Sequence, residues 1–98
     1  MAYKLIWSPA ARDDLHDIVV FIARDNPERA MSFGYQLSSE TDCLQTFPRL
    51  GRIVPEYGAD NLREIIVRPY RIVYRVNHEQ AVCEIARVWH SARGSLLL

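Results

Sequence analysis

Residues 62–90 read LREIIVRPYRIVYRVNHEQAVCEIARVWH, and this stretch decides the fold. Three runs rich in β-branched and aromatic residues, at 62–67, 70–76 and 81–89, are separated by Arg68-Pro69 and by the polar residues 77–80. Runs of this composition between turn residues are typical of β-strands joined as hairpins. The stretch therefore predicts three consecutive strands, each antiparallel to the next.

Alternation along the middle run assigns its side chains to two faces of the predicted sheet. One face carries Tyr70, Ile72, Tyr74 and Val76, and the other carries Arg71, Val73 and Arg75. We expect the first face to pack on helices and the second face to present its arginines to solvent. The parity of 81–89 stays open, because a β-bulge near Arg87 would exchange its two faces.

The first half of the chain carries helix signals. After a short apolar strand at 3–7, Ser8 and Pro9 supply an N-cap and a first-turn proline for a helix that runs to about Arg24. Asn26-Pro27 repeats this signal for a second helix that ends near Pro48. So short a link predicts an antiparallel helical hairpin, and residues 49–61 are predicted to form a loop.

These elements together predict an α+β fold in a single domain that spans residues 1–98. An N-terminal strand and an antiparallel two-helix hairpin pack on one face of a small, mostly antiparallel four-stranded sheet. A chain of 98 residues is expected to form one hydrophobic core. Its composition, 49% hydrophobic and 24% charged, excludes a disordered or fibrous protein.

The net charge of zero conceals two halves of opposite sign. Residues 1–48 hold four Lys and Arg against seven Asp and Glu, whereas residues 49–98 hold eight Arg against five Asp and Glu. Such an asymmetry indicates a charged partner for the second half. Arginine pairs with phosphate or carboxylate in a planar, bidentate manner, so its dominance favours recognition over mere solubility.

Several classes of protein are disfavoured by the motifs that the sequence lacks. Cys43 and Cys83 have no ligand spacing, which predicts two buried thiols in a reducing compartment and neither a zinc site nor a disulfide framework. The longest apolar stretch, 18–23, is too short to span a bilayer, so we expect a cytoplasmic protein with no membrane partner. No phosphate-binding loop, dinucleotide fingerprint or HExxH motif is present, and we expect no metal and no cofactor.

The candidate site is a set of charged residues in the second half of the chain. The set comprises Glu56, Arg63, Arg68, Arg71, Arg75, Arg87, His90 and Arg93. If these side chains converge on the open face of the sheet, they form a concave basic surface suited to phosphates. The alternative is that arginines at exposed strand positions only solvate the sheet.

Five ordered segments of the chain resemble the ParE/RelE superfamily, the toxins of type II toxin-antitoxin modules. They are 7–15 (WSPAARDDL), 50–56 (LGRIVPE), 62–64 (LRE), 70–76 (YRIVYRV) and 87–93 (RVWHSAR), and the Asn26-Pro27 helix break is similar as well. The resemblance covers nearly the whole chain. It implies a helical hairpin on an antiparallel sheet and an antitoxin partner encoded beside the toxin.

RelE-like members of the superfamily cut messenger RNA in the ribosome, where the 2′-hydroxyl attacks the adjacent phosphate. That reaction needs a base, positive charge on the phosphate oxygens and an acid for the leaving oxygen. The resemblance implies Glu56 as the base, Arg71 as the charge stabiliser and His90 as the acid. Those members usually carry a Tyr or a Lys cluster near the C-terminus, whereas here Ser91 follows His90 and Lys4 is the only lysine.

ParE-like members lack that catalytic set and inhibit DNA gyrase, and residues 88–93 resemble them more closely. We therefore favour a toxin that inhibits gyrase and is neutralised by a cognate antitoxin. The residues that would contact the target or the antitoxin are Arg63, Arg68, Arg75, Arg87 and Arg93. A ribosome-dependent endoribonuclease and an inactive binding or autoregulatory subunit are the alternatives.

The antitoxin is expected to cover the basic sheet surface or the helical hairpin with an acidic amphipathic helix or an extended strand. The assembly is expected to be a homodimer or a heterotetramer with the antitoxin. Affinity that falls with salt would indicate arginine contacts.

Overall fold

Two helices pack against one face of a five-stranded sheet in the computed structural model, which describes residues 2–98. In chain order the elements are β1 Lys4–Trp7, α1 Pro9–Asp25, α2 Pro27–Asp42, β2 Arg52–Ile53, β3 Leu62–Val67, β4 Tyr70–Asn77 and β5 Val82–His90. Single 3-10 turns follow α2 at Cys43–Gln45 and β5 at Ser91–Arg93. The predicted α+β architecture is confirmed.

Both predicted helix starts are confirmed by their caps. The Ala11 amide donates to Oγ of Ser8 at 3.1 Å, and the Arg29 amide donates to Oδ1 of Asn26 at 3.0 Å. The predicted end of the second helix near Pro48 is wrong, because α2 ends at Asp42 and continues only as the 3-10 turn.

The sheet has the strand order β1-β5-β4-β3-β2. β1 lies parallel to β5, and the other neighbouring pairs are antiparallel. The sheet has five strands instead of the four predicted, because two residues of the predicted loop, Arg52 and Ile53, pair with Glu64 and Arg63 of β3. So short a strand leaves no alternating pattern in the sequence.

A β-bulge decides the parity of β5. Val73 pairs with Arg87 and Tyr74 pairs with Ile85, so Ala86 is the extra residue. Beyond the bulge, Val88 lies beside Ile72 on the helix-covered inner face of the sheet.

The inner face carries the main hydrophobic core, and the face predicted for Tyr70, Ile72, Tyr74 and Val76 is confirmed. The buried residues of this core are Ala11, Leu37, Leu44, Val67, Tyr70, Ile72, Tyr74, Val76, Cys83, Ile85 and Val88. Their packing against both helices buries apolar area, which is the main favourable term in folding.

Tyr74 also ties the inner face to the segment before β2. Its hydroxyl donates to the Pro48 carbonyl at 2.8 Å and accepts the Gly51 amide at 2.9 Å. A Cβ at Gly51 would lie 2.5 Å from the carbonyl oxygen of Glu64, so only glycine permits this close approach.

The opposite, outer face of the sheet is also covered. Val54, Leu62, Val73, Trp89 and Leu96 form a second buried cluster there. The prediction that this face presents its arginines to solvent is wrong for Arg71, which is 9% exposed. The loop after β2 and the C-terminal tail cover part of the face, and neither segment has a periodic sequence pattern from which its packing could be predicted.

The two cysteines differ in burial. Cys83 is buried as predicted, but Cys43 is exposed, so the prediction of two buried thiols is wrong for Cys43. Among residues 2–98 no helix is both long and apolar enough to cross a lipid bilayer.

Candidate functional site

Glu56 and Arg71 form a bidentate ion pair at the rim of the outer face. Nη1 of Arg71 lies 2.7 Å from Oε2 of Glu56, and Nη2 lies 2.7 Å from Oε1. The loop after β2 supplies the carboxylate and β4 supplies the guanidinium, so the pair joins two segments that are adjacent only in the folded chain. A planar, two-bond pair of this kind is the strongest common geometry for arginine and carboxylate.

The third donor of Arg71 continues the network into the interior. Its Nε lies 2.6 Å from Oε1 of Glu64, whose side chain is fully buried. Arg52 of β2 contacts the other oxygen, Oε2, through Nε and Nη2, each at 2.6 Å. Glu64, considered from sequence as a salt-bridge partner, thus joins two guanidiniums in a chain of alternating charge: Arg52, Glu64, Arg71, Glu56.

The C-terminal tail completes the network from outside. The Leu96 amide donates to Oε2 of Glu56 at 2.8 Å, and the Leu96 side chain, 2% exposed, belongs to the outer-face cluster. The Leu98 amide donates to the Tyr57 hydroxyl at 3.0 Å. The tail therefore lies over the outer face where an open basic surface was expected.

These contacts set the protonation states of the pair. Hydrogen bonds from Arg71, and then from the Leu96 amide, lower the pKa of Glu56 from 4.5 to about 2. The hydrogen bonds to Glu56 raise the pKa of Arg71 above its ordinary value. At neutral pH Glu56 is ionised, but a carboxylate with so low a pKa is a weak proton acceptor.

His90 does not join Glu56 and Arg71. It pairs with Tyr70 across the β4–β5 ladder, which places it on the inner face at the end of the sheet, whereas Arg71 lies on the outer face. Its ring meets the Tyr70 ring edge-on at 5.1 Å, and Nδ1 accepts the Ala92 amide at 3.0 Å. The structure thus brings together two of the three candidate catalytic residues, and their roles stay predictions.

The candidate binding arginines are dispersed. Arg63 lies on the inner face, where it donates to the Gly51 carbonyl and to Asp60. Arg75 lies on the outer face, 3.8 Å from Glu84. Arg87 reaches round the edge of β5 to α1. Arg68 and Arg93 have no carboxylate partner among residues 2–98 and lie near one end of the sheet. The set does not converge on one open face.

Asp14 and Leu96 are site residues that sequence reasoning missed. Asp14 pairs with Nε and Nη2 of Arg87 at 2.7 and 2.9 Å and also accepts the Val88 amide at 2.9 Å. From the sequence, Asp14 is only one of several acidic residues in the first half of α1, and Leu96 is only an apolar residue after the last strand. Because both partners are more than 35 positions away in sequence, no local pattern identifies them.

A groove of about 360 Å³ lies between α1 and the end of the sheet. Its lining residues are Asp14, Asp17, Ile18, Phe21, Tyr70, Val88, His90 and Arg93. Within residues 2–98 no group of three or more His, Cys, Asp and Glu side chains is placed to hold a metal ion.

Comparison with known families identifies this architecture. The sequence profile of the ParE toxin of type II toxin-antitoxin system parDE matches residues 5–94. The chain belongs to the ParE toxin family. It is therefore a toxin of a type II toxin-antitoxin module.

Relatives agree with this assignment. The toxin RelE2 of Caulobacter vibrioides is 31% identical over 91 residues, which cover 92% of this chain and 97% of that protein. A chain of the chromosomal ParDE system from P. aeruginosa superposes with a TM-score of 0.74 at 21% identity. The alignment covers 91% of this toxin and 96% of that chain. The RelBE2 toxin-antitoxin complex of Mycobacterium tuberculosis gives a TM-score of 0.63 at 23% identity, with coverages of 92% and 99%. The two structures show the common fold.

Proposed function

We propose that this toxin arrests growth by binding and inhibiting DNA gyrase, and that a cognate antitoxin neutralises it. The observation that carries the proposal is that the three candidate catalytic residues do not surround one open site. RNA cleavage by transesterification needs a base, a cation and an acid around one phosphate. Here the base candidate and the cation candidate are bonded to each other, and the acid candidate lies on the other face of the sheet.

The energetics of the network support a structural role for Glu56 and Arg71. To act on RNA, Arg71 would have to leave three short bonds to two carboxylates, and Glu56 would have to leave three donors. Separating a largely buried ion pair exposes each charge to a desolvation penalty that is no longer compensated. A binding mode that uses the intact surface avoids this cost.

The test compares two purified assays with one pair of variants. Wild-type toxin is expected to inhibit gyrase supercoiling and to leave messages intact in a translating-ribosome assay. Glu56→Gln is expected to keep gyrase inhibition, because Gln still accepts the Leu96 amide; Glu79→Gln in the exposed β4–β5 turn is the matched control. Codon-positioned cleavage that falls roughly 100-fold in Glu56→Gln alone, with gyrase unaffected by wild type, would overturn the proposal.

A ribosome-dependent endoribonuclease is the second candidate. The relative named RelE2, which is 31% identical, favours it. Primer extension on cellular messages after induction distinguishes it from gyrase inhibition. An inactive binding subunit, the third candidate, would give no growth arrest when the toxin is induced without its antitoxin.

We place the antitoxin along the helical hairpin. The toxin's own loop and tail already cover part of the outer sheet face, whereas Phe21, Met31 and Tyr35 of the helices are 64%, 65% and 72% exposed. Such side chains can contribute apolar contacts to a bound partner when they lie together in one patch. Hydrogen exchange with and without antitoxin should protect the hairpin; protection confined to β3 and the loop before it would contradict this placement.

A further inference from the structure

Most of the arginines in the second half of the toxin are paired with a carboxylate of the same chain. Six of the eight lie within 4.0 Å of a carboxylate. These are Arg49, Arg52, Arg63, Arg71, Arg75 and Arg87. Arg68 and Arg93 alone of the eight have no carboxylate partner among residues 2–98. Because these six arginines share five carboxylates and Arg49, Arg52 and Arg75 are at least half exposed, the pairing reduces the available positive charge without removing it. Arg68 and Arg93 are the two arginines of this half that can bind another molecule without breaking an ion pair.

The two arginines without a carboxylate lie at the same end of the sheet. Arg68 is in the two-residue turn between β3 and β4, and Arg93 is in the 3-10 turn after β5. The turns are joined, because the Ser91 amide donates to the Pro69 carbonyl at 2.9 Å. His90 belongs to the same end through its pairing with Tyr70. We call Arg68, His90 and Arg93 the basic end.

Two side chains of the basic end, Arg93 and His90, are held in place while they keep hydrogen-bond donors free. The Arg93 guanidinium carbon lies 4.0 Å from the centroid of the Trp89 ring, and the indole beneath it is buried. Stacking fixes the plane of a guanidinium while its N–H groups stay available at the edge. In His90 the Ala92 amide occupies Nδ1, so the neutral ring carries its hydrogen on Nε2, which has no partner among residues 2–98.

We infer that the basic end binds phosphate groups of a nucleic-acid backbone. Planar guanidiniums match phosphate oxygens in a bidentate manner, and unpaired arginines cost no internal ion pair when they bind. Asp14 in the adjoining groove is already compensated by Arg87 and the Val88 amide, and Asp17 stands on the α1 side of that groove. Because carboxylates lie on the α1 side of the groove, the phosphate contacts the side formed by the two turns that carry Arg68 and Arg93. The inference rests on the proposed function, in which the backbone is the DNA held by gyrase.

The chemistry alone fits a phosphodiester of DNA or of RNA, so the experiment includes both. Arg68→Gln/Arg93→Gln removes the two charges and keeps chain length, and the matched control Arg24→Gln/Arg29→Gln removes two exposed helix arginines that have no carboxylate partner within residues 2–98. Fluorescence anisotropy at low salt measures binding to a labelled duplex DNA and to a single-stranded RNA of the same sequence. Gyrase supercoiling is assayed with the same proteins, and thermal melting checks that each variant folds.

We expect the basic-end variant to bind the duplex at least roughly tenfold more weakly, with a salt slope lower by about 0.9 for each phosphate that the variant no longer neutralises. The control variant should bind as wild type does. Gyrase inhibition should weaken in parallel for the basic-end variant only. Preferential weakening on RNA would identify RNA as the source of the phosphates.

Two results would overturn the inference. One is equal weakening of binding in both variants, which would indicate a diffuse charge effect; the other is a wild type that binds neither nucleic acid. Gyrase inhibition by wild type that the basic-end variant retains would reject the inference while the proposed function stands. If wild type does not inhibit gyrase and the basic-end variant is selectively weakened in RNA binding, the proposed function is rejected. The inference that the basic end binds phosphate groups then still holds.

Discussion

The two faces of the sheet are held by different forces. On the inner face, Ile72, Tyr74 and Ile85 are 0% exposed and pack against two helices. On the outer face a small apolar cluster lies beside an ion-pair chain that runs from Arg52 to Glu56. Hydrophobic burial is non-directional and scales with area, whereas a buried ion pair is stabilising only with good geometry and satisfied partners.

The comparison explains why an arginine-rich strand does not make a basic surface. Alternation along β4 places Arg71 and Arg75 on the outer face, as the sequence predicts. What the alternation cannot show is that Glu64, Glu56 and the tail arrive on the same face and take the charge. Removing single groups from each face tests this difference.

The largest effect is expected from Glu64→Gln. This change removes a fully buried carboxylate from two guanidiniums and should lower the free energy of unfolding by about 4 kcal/mol. Urea unfolding followed by tryptophan fluorescence measures the change, and Glu79→Gln in the exposed turn is the control. A decrease below about 1 kcal/mol would mean that the outer face does not depend on its ionic chain.

A somewhat smaller effect is expected from Ile72→Ala on the inner face. The cavity left under the helices should cost about 3 kcal/mol. Ile66→Ala is the matched control, because Ile66 lies on the outer face and is 42% exposed. The destabilisation should be the same in low and high salt; a strong salt dependence would contradict a purely apolar inner face.

Leu96→Ala tests the attachment of the tail. Its buried side chain anchors residues 94–98, and we expect a destabilisation of about 2 kcal/mol, because a terminal segment can collapse into the space. The neighbouring Leu97, 72% exposed, provides Leu97→Ala as the control. Amide hydrogen exchange at residue 96 should accelerate in the first variant only. Unchanged protection there would show that the tail is held by its backbone bonds alone.

The smallest effect concerns pH. Because the pKa of Glu56 is lowered to about 2 in the folded state, its contribution to stability is present above its ordinary value of 4.5 and is lost as the pH falls through this range. In Glu56→Gln the melting temperature should therefore change less between these two pH values than in wild type. Glu79→Gln should follow the wild-type curve, and identical curves for all three proteins would contradict the role of the pair.

The secondary structure was predictable where its signals are local. Ser8-Pro9 and Asn26-Pro27 marked both helix starts, and Leu62–Val67 is a strand with the predicted bounds. The end of α2 and the strand β2 were missed. A 3-10 turn continues the helical spacing of apolar residues, and a two-residue strand has no period of its own.

The candidate site was less predictable than the fold. Glu56 and Arg71 are identifiable from the sequence as candidate site residues. Their ion pair, however, joins residues 15 positions apart, and the Leu96 amide that bonds Glu56 lies 40 positions away. The opposite positions of Arg71 and His90 follow from the ladder that pairs β4 with β5, including its bulge at Ala86. A list of charged residues contains no information about which of them face each other.

The sequence by itself determined the helix starts, the strand order along the chain and the apolar inner face, because caps, turn residues and alternation act over a few residues. The tertiary structure alone decided where the charge is available. Arg71 is neutralised by Glu56 and Glu64, whereas Arg93 lies on Trp89 with its donors free of carboxylates among residues 2–98. The physical reason is that an ion pair requires two groups within a few ångströms, and only folding brings distant groups that close.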